Sequence, residues 1–348
     1  MLLSAIFNQE QLATVNIYPE NALILAPLSG YTDIPYRRSA NRHGCLYAFT
    51  EMIDAGSLVF GNRKTLRFLE RSPDEKWLGA QIVGSDTETL SKSAKIISQY
   101  DFNILDFNLG CPAPKVQRKG EGAALAKEQE KALRAFSAIR QNYSGNVSAK
   151  IRLLDENDPS PTIKLIKDLR DAGASVITVH GRVAKQFYSG PVHYQTMKAV
   201  KESVGIQIVA NGGINSFLKY TEVLSLVGNG AVMFATGAMG NPWIFEEILN
   251  GDSWIPPTPE DISNEIKEHI YETCKYYGNE IGLRISRKFI FDYLKGRGYS
   301  SALKNSVVKV SNFSDFEKFL CEIRKGPSEG YFKWLEKNPN APRRIRLS

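Results

Sequence analysis

Cysteine is scarce in this sequence: its 348 residues include four, and no two of them form a CxxC pair. Zinc sites and disulfide frameworks need clustered or regularly paired cysteines, so this spacing favours neither. Scattered thiols are typical of a reducing compartment. We therefore expect a cytoplasmic protein with reduced cysteines and no bound metal.

Long hydrophobic runs are also missing. No apolar stretch approaches the roughly 18 to 20 residues that a membrane-spanning helix needs. The first residues, MLLSAIFNQEQ, lack the positive charge and the long apolar stretch of a secretory signal peptide. We expect neither a signal peptide nor a membrane partner.

The composition that remains is that of a globular protein. Hydrophobic residues make up 43% of the chain and charged residues 23%, which allows one large core and a smaller second domain. The net charge of +7 permits a polyanionic partner without establishing one.

Short apolar runs alternate with helix-like segments through most of the chain. The eight runs are residues 23–26, 46–51, 78–82, 104–108, 147–151, 176–179, 207–210 and 231–234. Such runs are typical of strands buried on both faces of a parallel sheet. Eight strand–helix units predict an α/β fold, a (β/α)8 TIM barrel. The alternative is a doubly wound sheet, which would not usually need eight units, and no GxGxxG follows the first strand.

The strand–helix alternation ends near residue 251. The segment GDSWIPPTPEDIS is rich in proline there and indicates a linker. Helices are predicted beyond it over 262–277, with Gly278 as the stop, and over 283–295. We divide the chain into four segments: an N-terminal extension (1–21), a barrel (22–250), a smaller helical domain (251–337) and a loose basic tail (338–348).

One stretch of the helical domain, residues 284–310, is strongly basic. Its only acid is Asp292, and its basic residues are Arg284, Arg287, Lys288, Lys295, Arg297, Lys304 and Lys309. Two interpretations remain open. The stretch is either a solvated helix face or a surface that contacts a phosphate backbone.

Nearly every predicted strand ends in a polar residue or a glycine. Active sites of TIM barrels lie at this end of the strands, and eight such endings together are hard to explain as packing. In chain order they are Pro27-Leu28-Ser29, Glu51, Gln81, Asn108 and Cys111, Lys150 and Arg152, His180 and Arg182, Asn211-Gly212-Gly213, and Ala235-Thr236-Gly237.

The last two strands are followed by small-residue turns, NGGI (211–214) and ATGAMGNP (235–242). Turns of this kind expose backbone N–H groups that can hold a phosphate. Phosphate sites after strands seven and eight recur in TIM barrels. The pair of turns therefore favours a phosphorylated cofactor.

Cys111 lies between Gly110 and Pro112, at the end of a buried strand. A buried cysteine is usually a small apolar side chain, but this position favours a chemical role. Thiols have an ordinary pKa of about 8.5 and so can act as acids near neutral pH. Lys150 could lie beside N1 and O2 of a reduced flavin, and Gln81 could bond the flavin's pyrimidine edge.

The sequence resembles the tRNA-dihydrouridine synthases over nearly its whole length. The matching segments are LAPLSGYTDIPYRR (25–38), FTEM (49–52), QIVG (81–84), DFNLGCPAPKVQRKGEGAAL (106–125), KIRL (150–153), TVHGRVAKQFYSG (178–190), ANGGI (210–214) and GNPWIF (240–245). The segment RKFIFDYLKG (287–296) resembles the start of that family's helical tRNA-binding domain. The cysteine-containing segment is the most specific of these.

This resemblance implies an FMN-dependent reduction of the C5–C6 bond of a tRNA uridine, driven by NADPH. Separately, we expect a monomer. Cys111 would protonate C5 while reduced FMN gives hydride to C6. The implied cofactor contacts are Pro27, Leu28, Ser29, Gln81, Lys150, His180, Asn211, Gly212, Gly213, Ala235, Thr236 and Gly237. The implied substrate contacts are Asn108, Arg182, Arg287 and Lys288.

Two departures from the family pattern concern the cofactor. Leu28 stands where the family usually has Met, a swap of similar volume. Ala235-Thr236 stands where the family usually has Gly-Arg. The missing arginine would remove a charged phosphate contact of roughly 1.5 to 3 kcal/mol. We therefore predict weaker FMN retention.

Two alternative functions remain open at this point. An FMN barrel could act on a free pyrimidine, as dihydroorotate dehydrogenases do, although those enzymes do not call for a basic helical domain. The chain could instead bind tRNA with a decayed flavin site. Retention of Cys111, Lys150, His180 and Arg182 argues against decay.

Overall fold

The computed structural model describes residues 16–346. Eight parallel strands form a closed barrel in chain order, and β1 pairs with β8. The predicted (β/α)8 barrel is thus confirmed, and the doubly wound alternative is wrong. The predicted N-terminal extension (1–21) falls mostly outside the described residues.

The strands are β1 (Leu23–Leu25), β2 (Tyr47–Asp54), β3 (Leu78–Val83), β4 (Ile104–Leu109), β5 (Asn146–Arg152), β6 (Val176–His180), β7 (Ile208–Asn211) and β8 (Val232–Phe234). The predicted bounds were wrong by one residue at most strand ends. The largest error is at β2, which continues past Glu51 to Asp54 because its pairing with β3 shifts register between Phe49 and Met52.

Helices surround the barrel and follow it. Those within the barrel are α1 (Ile34–Arg42), α2 (Ala55–Val59), α3 (Arg63–Leu66), α4 (Thr87–Ile97), α5 (Pro114–Gln117), α6 (Ala123–Lys127), α7 (Gln129–Arg140), α8 (Ser160–Asp171), α9 (Tyr194–Ser203), α10 (Phe217–Val227) and α11 (Trp243–Asn250). The later ones are α12 (Pro259–Tyr277), α13 (Asn279–Leu294), α14 (Ser301–Ser306), α15 (Phe313–Arg324) and α16 (Glu329–Lys337).

Helix α4 shows how the local sequence sets these elements. The Asp86 side chain accepts a hydrogen bond from the Thr89 amide at 2.8 Å, which satisfies one of the free donors of the first turn. Leu90, Ala94 and Ile97 form its buried face, as their helical spacing predicts.

The barrel interior is filled by side chains that alternate with those facing the helices. Ile24, Phe49, Ile104 and Val209 belong to this inner cluster. Tyr18, from the segment before β1, packs edge-on against Tyr47 with ring centroids 5.4 Å apart. The N-terminal end of the barrel is thereby closed, which leaves the other end for a site.

The C-terminal part of the chain contains more helix than the sequence pattern indicated. Helix α12 begins at Pro259 rather than 262, because Thr258 and Asp261 form a reciprocal cap. It ends at Gly278, whose φ is +85°, as predicted. Beyond 295 the pattern was too weak to predict structure, yet α14, α15 and α16 follow.

The helical part is joined to the barrel through a buried polar cluster. Glu265 of α12 accepts hydrogen bonds from Arg42 at 2.7 Å and from Ser39 at 2.6 Å, and His43 lies 3.2 Å away. Burial opposes the charge on Glu265, but the bonds from His43 and Arg42 outweigh it and lower its pKa to about 2. The cluster therefore holds α12 against α1 as an ionised network.

The last described residues, 344–346, pack against the protein, so the prediction of a loose tail was wrong for these three residues. Ile345 is only 2% exposed. The Arg344 carbonyl accepts a bond from Arg297 at 3.0 Å, and the Arg346 amide donates to the Pro257 carbonyl at 3.0 Å. The positive charge and the prolines of this segment led to the prediction of a loose tail. One buried isoleucine anchors it instead.

Helices long and apolar enough to cross a bilayer are absent from the stretch between residues 16 and 346.

We predict that Glu265→Gln lowers the free energy of unfolding by about 3 kcal/mol at pH 7, because it removes the acceptor of a buried charged network. A lowered carboxyl pKa stabilises the fold above the unfolded value of about 4.3. The difference from wild type should therefore shrink as the pH falls from about 5 toward 3. Urea denaturation at several pH values measures it.

The matched control is Glu317→Gln, since Glu317 pairs with Lys267 at 2.8 Å on the exposed surface. It should change the free energy of unfolding by less than about 1 kcal/mol. An equal effect of both substitutions would contradict the role given to Glu265.

Candidate active site

The C-terminal ends of the strands surround a cavity with about 880 Å³ of space free of protein atoms, part of it open to solvent. All the predicted site residues except Arg287 and Lys288 line it: Pro27, Leu28, Ser29, Gln81, Asn108, Cys111, Lys150, His180, Arg182, Asn211, Gly212, Gly213, Ala235, Thr236 and Gly237.

Cys111 lies in the loop after β4, half-buried in the cavity wall. Its amide donates to the Asn108 side-chain oxygen at 2.9 Å, and its carbonyl accepts from the Ala123 amide at 3.1 Å. Gly122 has φ +60°, and a Cβ there would lie 2.8 Å from the Cys111 carbonyl oxygen. The backbone around the thiol is therefore held from both sides.

Asn108 belongs to a buried network of side chains at the inner wall. Its amide nitrogen donates to Gln81 at 2.8 Å, and Gln81 donates to Asp106 at 2.7 Å. Ser148 donates to the other Asp106 oxygen at 2.6 Å. Burial raises the pKa of Asp106 to about 6, while the bonds from Ser148 and Gln81 act to lower it. The network fixes Asn108, which in turn positions Cys111.

The sequence interpretation omitted Asp106 and Ser148. The sequence does show a carboxylate, Asp106, inside an otherwise apolar strand. A buried carboxylate needs hydrogen-bond partners, so this position indicated a polar network. Gln81 is part of the same network, because both ends of its amide bond protein side chains. One N–H and one lone pair of that amide remain for a ligand.

Lys150 and His180 lie on neighbouring strands. Lys150 donates to the Asn211 side-chain oxygen at 3.0 Å, and Asn211 donates to the Met233 carbonyl at 2.7 Å. Burial and the charge of Arg152 lower the pKa of Lys150 to about 8. Burial and the neighbouring cations lower the pKa of His180 to about 2, so its ring stays neutral at neutral pH.

Two arginines make the rim of the cavity positive. Arg182 donates to the Gly190 carbonyl at 3.1 Å, and its guanidinium lies 3.4 Å from the His180 ring. Arg152 donates to the Gly110 carbonyl at 2.9 Å and lies 5.5 Å from the centre of the Tyr188 ring. The sequence analysis identified Arg152 as one of the polar residues at the strand ends. No sequence pattern indicated Tyr188.

The turns after β7 and β8 present free backbone donors. Within the described chain, the amides of Gly212, Gly213, Thr236 and Gly237 donate no hydrogen bond. The two turns are in close contact, since a Cβ on Gly237 would lie 2.0 Å from the Ile214 carbonyl oxygen. Only glycine fits there, and the resulting concave surface of N–H groups suits an anion.

The remaining predicted residues lie outside the cavity. Arg287 donates to the Val310 carbonyl at 2.9 Å and is half-buried. Lys288 donates to the Gly30 carbonyl, in the loop after β1, and so lies where α13 meets the barrel. Arg297 is fully buried, so its inclusion in a contact surface was wrong: its side chain faces the protein interior.

No cluster of three or more His, Cys, Asp or Glu side chains suited to a metal occurs among residues 16–346. The four cysteines are all free thiols.

Comparison with known proteins gives a consistent result. The family model for dihydrouridine synthases (Dus) matches residues 24–325. The chain is 34% identical over 281 residues to tRNA-dihydrouridine synthase B of Pasteurella multocida, covering 80% of this chain and 85% of that one. It is 33% identical over 305 residues to a probable tRNA-dihydrouridine synthase of Helicobacter pylori, covering 86% and 91%.

A solved structure shows likeness of fold alone. It is the 6-hydroxypseudooxynicotine amine oxidase of Pseudomonas geniculata N1, with a TM-score of 0.52 at 9% identity. The match covers 71% of this chain and 50% of that one.

We predict that Gly122→Ala displaces the loop that carries Cys111, because the new Cβ would meet the Cys111 carbonyl in a backbone conformation that disfavours alanine. The expected cost is about 1 to 3 kcal/mol of stability, with a changed alkylation rate of the Cys111 peptide. Urea denaturation and mass spectrometry after iodoacetamide treatment measure these effects.

Gly120→Ala is the matched control. Gly120 also has positive φ, +69°, but nothing lies within 4 Å of a Cβ built on it. It should cost backbone strain alone and leave the alkylation rate of Cys111 unchanged. Identical alkylation behaviour of the two variants would show that Gly122 does not position the thiol.

Proposed function

Because the chain belongs to the dihydrouridine synthase family, we propose that it reduces a uridine of tRNA to 5,6-dihydrouridine, with FMN as cofactor and NADPH as reductant. The observation that carries this proposal is the cavity where the Cys111 thiol, the Lys150 ammonium and the free amides of two turns meet. The thiol is an acid, the ammonium is a cation, and the free amides form an anion-binding surface. Together they suit flavin chemistry on a nucleobase.

The residues present fit FMN. The unbonded amides of the β7 and β8 turns would hold its phosphate. Lys150 would stabilise negative charge on the reduced ring, and Asn211 holds the ammonium in place at 3.0 Å. When bound, reduced FMN would supply the hydride that adds to C6 of the uracil.

Cys111 would supply the proton. With hydride added at C6, the electron pair of the C5–C6 double bond would move to C5 and take the proton from the Cys111 sulfur. The thiolate that remains is reprotonated from solvent. Such an acid must be fixed at one place, and the bonds of Cys111 to Asn108 and Ala123 provide that constraint.

Asn108 and Arg182 would orient the base. The Asn108 oxygen is occupied by the amides of Gly110 and Cys111, and one of its N–H groups bonds Gln81. One N–H therefore remains to donate to a uracil carbonyl. Arg182 uses its Nε for Gly190, and its Nη1 lies 3.4 Å from His180 Nε2, which leaves Nη2 for the substrate.

The surface between the barrel and the helical part would bind the tRNA backbone. Lys64, Arg67 and Arg284 line one groove there, and within residues 16–346 none of them forms an ion pair. Phosphate contacts at this surface would offset the few kcal/mol needed to unstack the target base. The sequence carries no dinucleotide motif, so NADPH would bind transiently at the cavity before the tRNA.

We predict that Cys111→Ala forms dihydrouridine at least about 100-fold more slowly than wild type, because it lacks the acid for C5. The assay uses unmodified tRNA with FMN and NADPH, and mass spectrometry of the digested tRNA counts the product. Cys321→Ala, which removes an exposed thiol, is the control and should react at the wild-type rate. Flavin absorbance should be equal in all three proteins.

The other outcomes separate the alternatives. Turnover of free uracil or dihydroorotate without product in tRNA would favour an enzyme of free pyrimidines. Binding of tRNA with no flavin absorbance after reconstitution would favour a decayed flavin site. Full activity of Cys111→Ala would reject its role as the acid.

We also predict that tRNA affinity falls steeply with salt, since the proposed contacts are to phosphates. Arg284→Ala should weaken binding and reduce the slope of log K against log salt by about 1. Lys92→Ala, which removes an exposed lysine on α4 paired with Glu88, should leave the slope unchanged. A flat salt dependence in the wild type would contradict this surface.

A further inference from the structure

Arg297 is a buried arginine that lies behind the turn that follows β8. It is 0% exposed. Its nitrogens donate to the Gly240 carbonyl at 3.0 Å, to the Asn241 side-chain oxygen at 2.8 Å and to the Arg344 carbonyl at 3.0 Å. All these acceptors are neutral. No carboxylate of residues 16–346 forms an ion pair with it.

A second arginine approaches the other turn. The Arg344 guanidinium lies 3.4 Å from the Asn215 carbonyl, just after the β7 turn. It also forms no ion pair with a described carboxylate, although the charge of Glu247 acts on it from farther away. The Glu247 carboxylate is bonded to the Phe217 amide at 2.7 Å. One guanidinium group therefore lies against the residues that follow the β8 turn, and the other lies against the residue that follows the β7 turn.

Burial of a charge without an oppositely charged partner carries a large desolvation cost. Burial lowers the pKa of Arg297 to about 9, and the charge of Arg344 acts in the same direction. Arg297 therefore remains charged at neutral pH, and its compensation consists of carbonyl dipoles, the Tyr293 carbonyl among them, and the face of the Trp243 ring 4.9 Å away. An anion held at the turn would relieve this cost.

The turn brings such an anion within range. Three peptide links separate Gly237 from Gly240, so their Cα atoms are at most about 11 Å apart. Hydrogen bonds within the turn shorten that span, from Ala238 to the Ala235 carbonyl at 3.0 Å and from Met239 to the Thr236 carbonyl at 3.3 Å. Over about 10 Å, at an effective dielectric of about 20, two unit charges interact strongly enough to change affinity about tenfold.

We propose that Arg297, assisted by Arg344, supplies the positive potential that holds the cofactor phosphate on the β7 and β8 turns. Both residues act through the turns rather than by touching the cofactor, so they are positioning residues. They stand in for the charge that Ala235-Thr236 does not carry. This inference rests on the proposed use of FMN, and it makes the helical part and the tail components of the flavin site.

The test compares FMN with riboflavin, which lacks the phosphate. Flavin fluorescence gives the Kd of each for wild type, Arg297→Gln, Arg297→Lys and Arg344→Gln at fixed ionic strength. In Arg297→Gln, the preference for FMN over riboflavin should fall about tenfold while the Kd of riboflavin stays the same. Arg297→Lys should keep most of the preference, and Arg344→Gln should show a smaller loss.

Arg42→Gln is the matched control, because Arg42 also joins the barrel to the helical part but pairs with Glu265. It should leave the FMN-to-riboflavin preference unchanged. Circular dichroism establishes that each variant is folded. If Arg297→Gln does not fold, the FMN-to-riboflavin preference of Arg344→Gln tests the inference, and a reduced preference supports it.

Parallel weakening of FMN and riboflavin in the arginine variants would overturn the inference, since a purely structural role predicts that result. An unchanged preference would overturn it as well. A wild-type protein that binds neither flavin would instead reject the proposed function on which the inference rests.

Discussion

Pairing of the first strand with the last one is the constraint on which the site depends. β1 and β8 are joined in parallel register, with the Ala26 amide bonded to the Phe234 carbonyl at 2.8 Å and the Val232 amide to the Ala22 carbonyl at 2.9 Å. Closure brings all the carboxyl ends of the strands to one opening. Side chains that are far apart in the sequence, such as Cys111 and Asn211, thereby line the same cavity.

Within that opening, hydrogen bonds between buried side chains define the chemistry. Asp106 and Ser148 touch no part of the rim, yet they fix Gln81 and through it Asn108. A buried network of this kind must be fully paired, because each lost partner costs desolvation free energy. The position of the Cys111 thiol therefore depends on a carboxylate two strand residues before Asn108, inside the barrel wall.

The sequence predicted the barrel well, since short apolar runs with polar endings repeat eight times and each ending falls at the same edge. It predicted much less about which polar residues are buried. Arg297 and Arg287 were equivalent members of a basic stretch, because charge counts contain no information on exposure. Ile345 was hidden in a charged tail, although its burial anchors that tail. Whether such residues are buried depends on contacts between residues that are far apart in the sequence. The periodicity of the sequence carries no information about those contacts.

The contacts of Arg297 also set an order of events during synthesis. Arg297 follows Gly240 by 57 residues, and Arg344 follows Arg297 by 47. Chains fold from the N-terminus as they leave the ribosome. The nascent protein thus completes all eight strands before either guanidinium group exists to stand behind the β7 and β8 turns. On the proposed arrangement, a nascent chain that ends before Arg297 would already contain the cavity but would hold the cofactor phosphate about tenfold more weakly.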